Sequence, residues 1–507
     1  MSQSVLQAAG EPPEPRRGFV TRHQVTGWRF MLRRAASGVA LHDTRMLVEP
    51  LRSQSRAFSL GLLLLVAGVV GCFVFSLISP VGAASEHAVL ADKSTAALYL
   101  RLGDTVHPVL NLASARLAIG RSESPTWVRG AELDQFRRGN VLGIPGAPER
   151  MAQSDERDAQ WTVCDTAPPP AHGVMPSVTV IAGPLAAGEG KAAAFSGDQA
   201  VLARTARAAW LVWDGHRARI DLADRAVTSA LGVEPDSPAP RVLSQALVDV
   251  IPEGPRLSAP VLPGAGEQPR FALNRPIGSV VAARTLDGRT QNYAVLQEGL
   301  QPIPRVLASV LRNTNSYGLA AVPVLPPDQI SRLPVANRID TSVYPADPVK
   351  VINPAAAPVL CARWSKPDAS AVSTLTLLSG AALPTHAPDK AVSLVASGTP
   401  GTADRVAITP GTGYLAQVVG QEAASPTREA LFWISDTGVR YGVDTNDKDS
   451  KPLEALGLRE PALPIPWSVL RLLAPGPTLS RADALLAHDS LPADPRPGRV
   501  SAQELGQ

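Results

Sequence analysis

The chain has 507 residues, and 48 basic residues against 45 acidic ones leave a net charge of +3. With 18% charged and 45% hydrophobic residues it is not a disordered polyelectrolyte, and no basic excess marks it for nucleic acid. Its 48 Pro and 40 Gly argue against long helices and helical solenoids, and 3 Cys are too few for a disulfide scaffold or a usual structural zinc site.

The small net charge conceals an asymmetry. Residues 1–56 hold nine Arg, no Lys and four acids, a balance of +5, and the remainder comes to −2. Residues 1–18 are polar and Pro-bearing and read as a disordered tail. Residues 19–56 read as a cytoplasmic, basic amphipathic helix. Val25, Trp28, Met31, Leu32 and Ala35 recur at helical spacing, with Arg22, Arg29, Arg33 and Arg34 between them. Thr21 is the expected N-cap and Gln24 its capping-box partner. Trp28, Arg29, Arg33, Arg34, Arg52 and Arg56 are the candidate contact residues. The pattern serves anionic lipid headgroups and a partner protein equally well.

Residues 57–79 contain no charge, and none occurs between Arg56 and Glu86. As a helix, this segment is long enough to cross a hydrocarbon core of about 30 Å, and Pro80 ends it. No second run of this kind exists; Ser370–Leu383 is too short and too polar. Gly82, Ala83 and Ala84 resemble a signal-peptidase site, but the basic block is too long and the apolar run too extended for a signal peptide. Arginines before the span place the N-terminus in the cytoplasm and the C-terminal body outside. Cys72, within the span, reads as a small packing residue.

After a linker at 80–90, the body at 91–484 carries internal similarity. Gly215, Arg217, Ile220 and Asp221 match Gly438, Arg440, Val443 and Asp444, each set preceded by a Trp-containing apolar run. Leu231-Gly232 then matches Leu456-Gly457, the run from Pro240 matches that from Pro466, and Gly254-Pro255 matches Gly476-Pro477. Tyr293–Leu307 and Tyr99–Leu110 are weaker relatives. Each unit reads as two strands around a Gly turn and a short helix opened by Pro at its first position. Such a unit is too small to bury its own apolar face, so copies should pack on each other or on a centre. Val178–Ile181, Val406–Ile408 and Tyr414–Val419 read as strands of that centre. Residues 485–507 read as a polar tail.

Chemical motifs are weak. Gly411-Thr412-Gly413 opens no helix and reads as a hairpin turn rather than a dinucleotide loop. The run Gly183–Ala192 loosely resembles a phosphate loop, but Ala192 stands where a Ser or Thr would hold Mg²⁺. Asp444–Asp449 resembles a calcium loop with Lys448 at a ligand position and no turn glycine. His107 and the other histidines are scattered singly. These observations assign no catalytic residue, no cofactor and no metal. They favour an assembly protein over an enzyme.

The N-terminal third carries a specific resemblance. Thr21-Arg22-His23-Gln24-Val25-Thr26-Gly27-Trp28-Arg29-Phe30, then Asp43-Thr44-Arg45-Met46, then Pro50-Leu51-Arg52-Ser53-Gln54-Ser55-Arg56 before one span, resembles the EccB family of type VII (ESX) secretion membrane components. Leu142–Pro148, Trp161–Asp165 and Cys361–Trp364 extend the likeness over residues 19–490. Arg17–Val20 and Ala40–Asp43 look most like the subtype of the third ESX system, tied to iron and zinc uptake.

The resemblance implies an α+β fold: one N-terminal transmembrane helix, then an elongated periplasmic domain of four small α/β repeat units around a β-rich core. It implies an inner-membrane structural subunit that assembles with the EccC motor ATPase, EccD and EccE and self-associates through its periplasmic domain. The family has been labelled an ATPase, and no Walker signature is present here to carry that over. The alternative is an extracytoplasmic enzyme, ATP-hydrolysing or acting on cell-wall polymer. Cys164 and Cys361 fall on the outer side, where disulfides persist, and each has a nearby tryptophan. The resemblance implies that they pair; two separate buried thiols are the alternative.

Overall fold

A computed structural model describes residues 21–42, 50–78, 84, 86–168, 175–285, 288–397, 401–446, 451–491 and 497–498. The expected tail at 1–18 lies outside these residues. Two compact units, 1–81 and 82–507, are described separately.

In the first unit, helix α1 (Arg22–Leu41) opens with the expected capping box. The Gln24 N–H donates to Thr21 Oγ1, and the Thr21 N–H donates to Gln24 Oε1 at 3.0 Å. Two orphan donors of the first turn are thereby satisfied. Helix α2 (Pro50–Ile78) starts seven residues before the expected 57, because Pro50 suits a first turn and nothing breaks the helix before Ala57. Its window Ser55–Val74 has a mean hydropathy of 2.5, and it is the one helix among the described residues long and apolar enough to span a membrane. Cys72 is exposed on it.

Among the described residues of the second unit one pairing scheme occurs four times: three antiparallel strands, a helix, a return segment parallel to the first strand and another parallel to the third. In the first occurrence the strands are Val89–Asp92, Leu98–Leu102 and Thr105–Pro108. Helix Leu112–Ile119 follows, with returns at Thr126–Val128 and Arg137–Arg138. The second has Gln199–Arg204, Ala209–Trp213 and His216–Ile220, helix Arg225–Leu231, and returns at Arg241–Val242 and Glu253. The third has Val280–Arg284, Thr290–Val295 and Leu300–Ile303, helix Arg305–Thr314, and returns at Val324 and Val335. The fourth has Tyr414–Val419, Leu431–Ile434 and Val439–Val443, helix Pro452–Leu456, and returns at Leu463–Pro466 and Ala474–Pro475.

Between them lies a seven-stranded sheet in the order Val392–Ser393, Arg405–Ala407, Ser177–Ala182, Ala159–Thr166, Val359–Lys366, Thr374–Gly380, Ala193–Ala194. The small sheets pack pairwise. Helix Leu112–Ile119 lies on Pro452–Leu456 and Arg481–Ala484, so Leu100 and Leu117 share a core with Trp433, Leu456 and Leu479. Helix Arg225–Leu231 lies on Arg305–Thr314, joining Leu211 and Leu231 to Val306 and Val310. Helices Gln245–Val250 and Trp467–Leu470 meet over the central strand Ala159–Thr166. Their Leu247 and Leu470 join Trp161, Val180 and Leu360 in the largest core. At about 1.5–3 kcal/mol per fully buried large apolar side chain, burial of this kind supplies what a lone unit lacks.

Several expectations are corrected. Tyr414–Val419 is not central; it begins the fourth small sheet. Gly411–Gly413 is not a hairpin, because Val406 pairs with Val180 and Tyr414 with Ile434, so the turn joins two sheets. The run at Pro240 forms the strand Arg241–Val242, and its helix starts at Gln245 behind the N-cap Ser244. Pro304 and Pro466 sit one residue earlier than expected, at N-caps in extended backbone, where a missing N–H also costs nothing. The body begins at Val89, inside the expected linker. Ala487–His488 pairs with Val141–Leu142, so the chain is still ordered past 485.

Candidate functional site

The motif-like segments resolve into structural roles. Lys191 Nζ donates to the Thr385 carbonyl at 2.8 Å, and strand Ala193–Ala194 follows, so the Gly183–Ala192 run offers neither a free lysine nor a helix N-terminus to a phosphate. The Gly411 N–H donates to Asp436 Oδ2 at 2.6 Å. The Asn446 N–H donates to Asp444 Oδ1 at 2.9 Å, an Asx turn; the remainder of the calcium-like loop, Asp447 to Asp449, lies outside the described residues. His107 Nδ1 lies 3.0 Å from the Asn140 carbonyl. Among the described residues no three His, Cys, Asp or Glu side chains gather as a metal site.

The matched arginines are structural as well. Arg217 Nε donates to the carbonyls of Val248 and Ile251 at the end of helix Gln245–Val250, with its guanidinium 4.3 Å from the Trp210 ring. Arg440 Nε donates to the Leu473 carbonyl and lies 5.1 Å from the Trp467 ring. In both copies the arginine satisfies carbonyls in or just past the last turn of the second helix. That requirement accounts for the matched arginine.

At the centre, Cys164 and Cys361 are directly opposed on neighbouring antiparallel strands and form a disulfide, with S–S 2.06 Å and Cα–Cα 4.0 Å. Trp161 opposes Trp364 three residues along. Trp161 Nε1 donates to the Pro464 carbonyl at 2.8 Å, and the Tyr414 ring meets Trp161 edge-on at 5.5 Å. These aromatics lie on the other face of the sheet; the disulfide itself packs with Ile181, Ala192, Val359 and Leu378, and both cysteines are fully buried.

Beside the disulfide lies a buried polar cluster that sequence reasoning missed. Asp165 accepts from the Ser244 N–H at 2.8 Å and from Ser244 Oγ at 2.6 Å. Ser244 Oγ in turn caps the Leu247 N–H. Arg241 donates to the carbonyls of Ala357 and Pro358, just ahead of the strand bearing Cys361. One short segment, 241–244, thus fastens the second small sheet to both disulfide-bearing strands. Burial pushes the Asp165 carboxyl up to about 6, opposed by the Ser244 hydrogen bonds and the Arg241 charge.

A pH dependence follows. The folded value lies above the unfolded value of about 3.9, so the native state holds the proton more tightly. The stabilisation is complete below about pH 4 and is lost as pH rises through about 6, on the order of 3 kcal/mol. Asp165→Asn keeps an acceptor for the Ser244 N–H, places an amide donor where the carboxylate accepted from Ser244 Oγ, and does not titrate. Wild type is expected to lose stability relative to Asp165→Asn between pH 4 and 7, read as the difference of denaturation midpoints. Parallel pH profiles would refute this assignment.

The candidate contact residues divide between two helices. Trp28, Arg29, Arg33 and Arg34 are exposed on α1, Trp28 at 66%, and α1 buries no residue. Arg52 and Arg56 belong to α2.

Comparison with known proteins follows this geometry along nearly the whole chain. The family described as "Type VII secretion system ESX-1, transport TM domain B" matches residues 17–493. "ESX-3 secretion system ATPase EccB3" of Mycobacterium tuberculosis (strain ATCC 25618 / H37Rv) is 55% identical over 97% of this chain and 94% of that protein. Its namesake in Mycolicibacterium smegmatis is 54% identical over 96% and 94%. A chain of an intact ESX-5 inner membrane complex superposes with a TM-score of 0.75 at 35% identity, covering 96% of this chain and 99% of that one. The EccB3 dimer from the ESX-3 core complex matches with a TM-score of 0.71 at 48% identity, over 79% and 100%. The chain belongs to the EccB family of type VII secretion membrane components, in the subtype of the third ESX system.

Proposed function

We propose that this chain is a structural core subunit of the type VII secretion membrane complex, which it anchors in the inner membrane and helps assemble through its outer body. The full-length likeness to a chain within an ESX inner membrane complex is the observation that carries this reading. α2 is its single span, the arginine-rich N-terminus lies in the cytoplasm, and residues after the span lie in the periplasm. The body is four copies of one small α/β unit around the disulfide-bearing sheet. Its partners are the EccC motor ATPase, EccD, EccE and further copies of itself, with Trp28, Arg29, Arg33, Arg34, Arg52 and Arg56 as its contacts at the cytoplasmic membrane surface. The exported cargo serves iron and zinc acquisition.

A second reading is an extracytoplasmic enzyme that hydrolyses ATP or acts on cell-wall polymer, and the relatives' name of ATPase favours the first of these forms. Lys191, tied to a backbone carbonyl in a loop that opens no helix, speaks against an ATP site there. The tagged full chain, purified from membranes, is expected to bring down the motor and the other two subunits. Alone, it is expected to turn over no more ATP than a heat-killed control. Recovery as a lone monomer, or sustained ATP turnover by the isolated chain, would overturn the structural reading.

A further inference from the structure

α1 has an electrostatic order around its axis. At 3.6 residues per turn, Arg22, Arg29 and Arg33 fall within a sector of about 40° and form one row about 16 Å long. Beside that row, Val25, Trp28, Met31, Leu32, Ala35 and Val39 fill a sector of about 120°. Arg34 stands apart, on the far flank. Residues 21–42 include no acid, and none of the four arginines has an ion-pair partner among the described residues. Trp28, Met31, Leu32 and Val39 are all exposed. A helix with one continuous apolar face, an adjoining cationic row and no anions is built for a surface both apolar and negative.

The chain confines α1 near such a surface. Between Leu41 and Pro50 the connection reaches at most about 30 Å. From Pro50 to Arg56, α2 adds about 9 Å before the apolar run begins. The C-terminal end of α1 therefore stays within roughly 40 Å of the hydrocarbon edge of the leaflet that holds Arg56, and the rest of the helix is within reach of the same surface. We propose that α1 lies in the plane of that leaflet, with Trp28, Met31 and Leu32 at the acyl boundary and the Arg22, Arg29 and Arg33 row on anionic phospholipid headgroups. The inference rests on α2 being the membrane span, and it chooses lipid over protein as the occupant of this face. Arginine suits the task because its fork pairs with phosphate oxygens in a bidentate manner.

The test uses the full chain in nanodiscs of phosphatidylcholine alone or mixed with phosphatidylglycerol, with amide exchange read over residues 22–41. Exchange is expected to slow by about tenfold or more in the anionic discs and to recover at high salt. Replacing Arg22, Arg29 and Arg33 together with Gln should abolish the lipid dependence, and replacing any one of them should weaken it. α1 buries nothing, so these variants leave the fold intact and the comparison stays interpretable. Equal exchange in both discs would overturn the proposal. So would protection that needs another secretion subunit, or protection produced by inorganic phosphate in phosphatidylcholine discs. Partner co-purification from cells is read separately: lipid-dependent protection in a chain that recovers no partners would sink the assembly function and leave this inference standing.

Discussion

A Cys164→Ser variant is expected to lose much of its resistance to denaturation, up to about 5 kcal/mol by the loop-closure argument for so long a loop. The bonded residues lie 197 positions apart. After Cys164 the chain adds two more strands to the central sheet, Ser177–Ala182 and Ala193–Ala194, then makes a long excursion and returns along Val359–Lys366. The second and third small sheets lie wholly inside that excursion, so the bond closes the loop that holds both. Without it, the unfolded chain regains the freedom of nearly two hundred residues, while the folded chain keeps its β ladder. Ser adds a second cost, a hydroxyl in a fully buried position. A Cys164→Ala, Cys361→Ala double variant separates the two, retaining the entropic loss without the buried hydroxyl. Denaturant midpoints under non-reducing conditions should rank wild type above the double Ala variant and that above Cys164→Ser. Unshifted midpoints in both variants would refute the stabilising role.

How far the sequence reached depended on the range of the interactions. The capping box at Thr21 and Gln24 is three residues wide and was legible in full. So were the Leu-Gly steps, because Gly232 and Gly457 close their helices in left-handed backbone that favours glycine. The matches at Gly254 and Gly476 were legible too, since a Cβ would lie 2.9 Å from His216 Cδ2 at the first and 2.7 Å from Tyr441 Cδ1 at the second. The run at Pro240 misled. Its structural counterpart at Pro466 is Ser244, since both cap the second helix, and apolar residues around a proline do not fix register. The order of the central sheet was not legible either. Its strands are short β-branched runs, and such a run reads alike whether its partners are central or in a small sheet. Asp165 escaped notice because its partner Ser244 lies 79 residues away, and an acid ending an apolar strand carries no local sign of burial.

The glycine turns of the small sheets yield the other large effect, with a control inside the same molecule. Gly103, Gly215 and Gly438 all turn a hairpin with φ between +62° and +80°, so a branched side chain strains each backbone similarly, by about 1–2 kcal/mol. Their surroundings differ. A Cβ on Gly103 meets nothing within 4 Å. A Cβ on Gly438 would lie 2.7 Å from Val406 Cγ2 and 3.1 Å from Leu394 Cδ2, at one side of the central sheet. A Cβ on Gly215 would lie 2.8 Å from the Leu375 carbonyl oxygen, at the other side. The second and fourth units therefore press matching turns against opposite halves of the sheet, whereas the first unit's turn faces open space. Side chains can shift by rotamer, but a paired strand's carbonyl cannot, so Gly215→Val has the less forgiving contact. Overpacking adds about 1–3 kcal/mol to backbone strain. Gly215→Val is expected to cost about 3–5 kcal/mol, Gly438→Val somewhat less, and Gly103→Val only the backbone strain of about 1–2 kcal/mol. Denaturant midpoints by tryptophan fluorescence in the full chain would establish the order. Equal losses at all three positions would mean that backbone strain alone decides, and that the turns do not clamp the sheet.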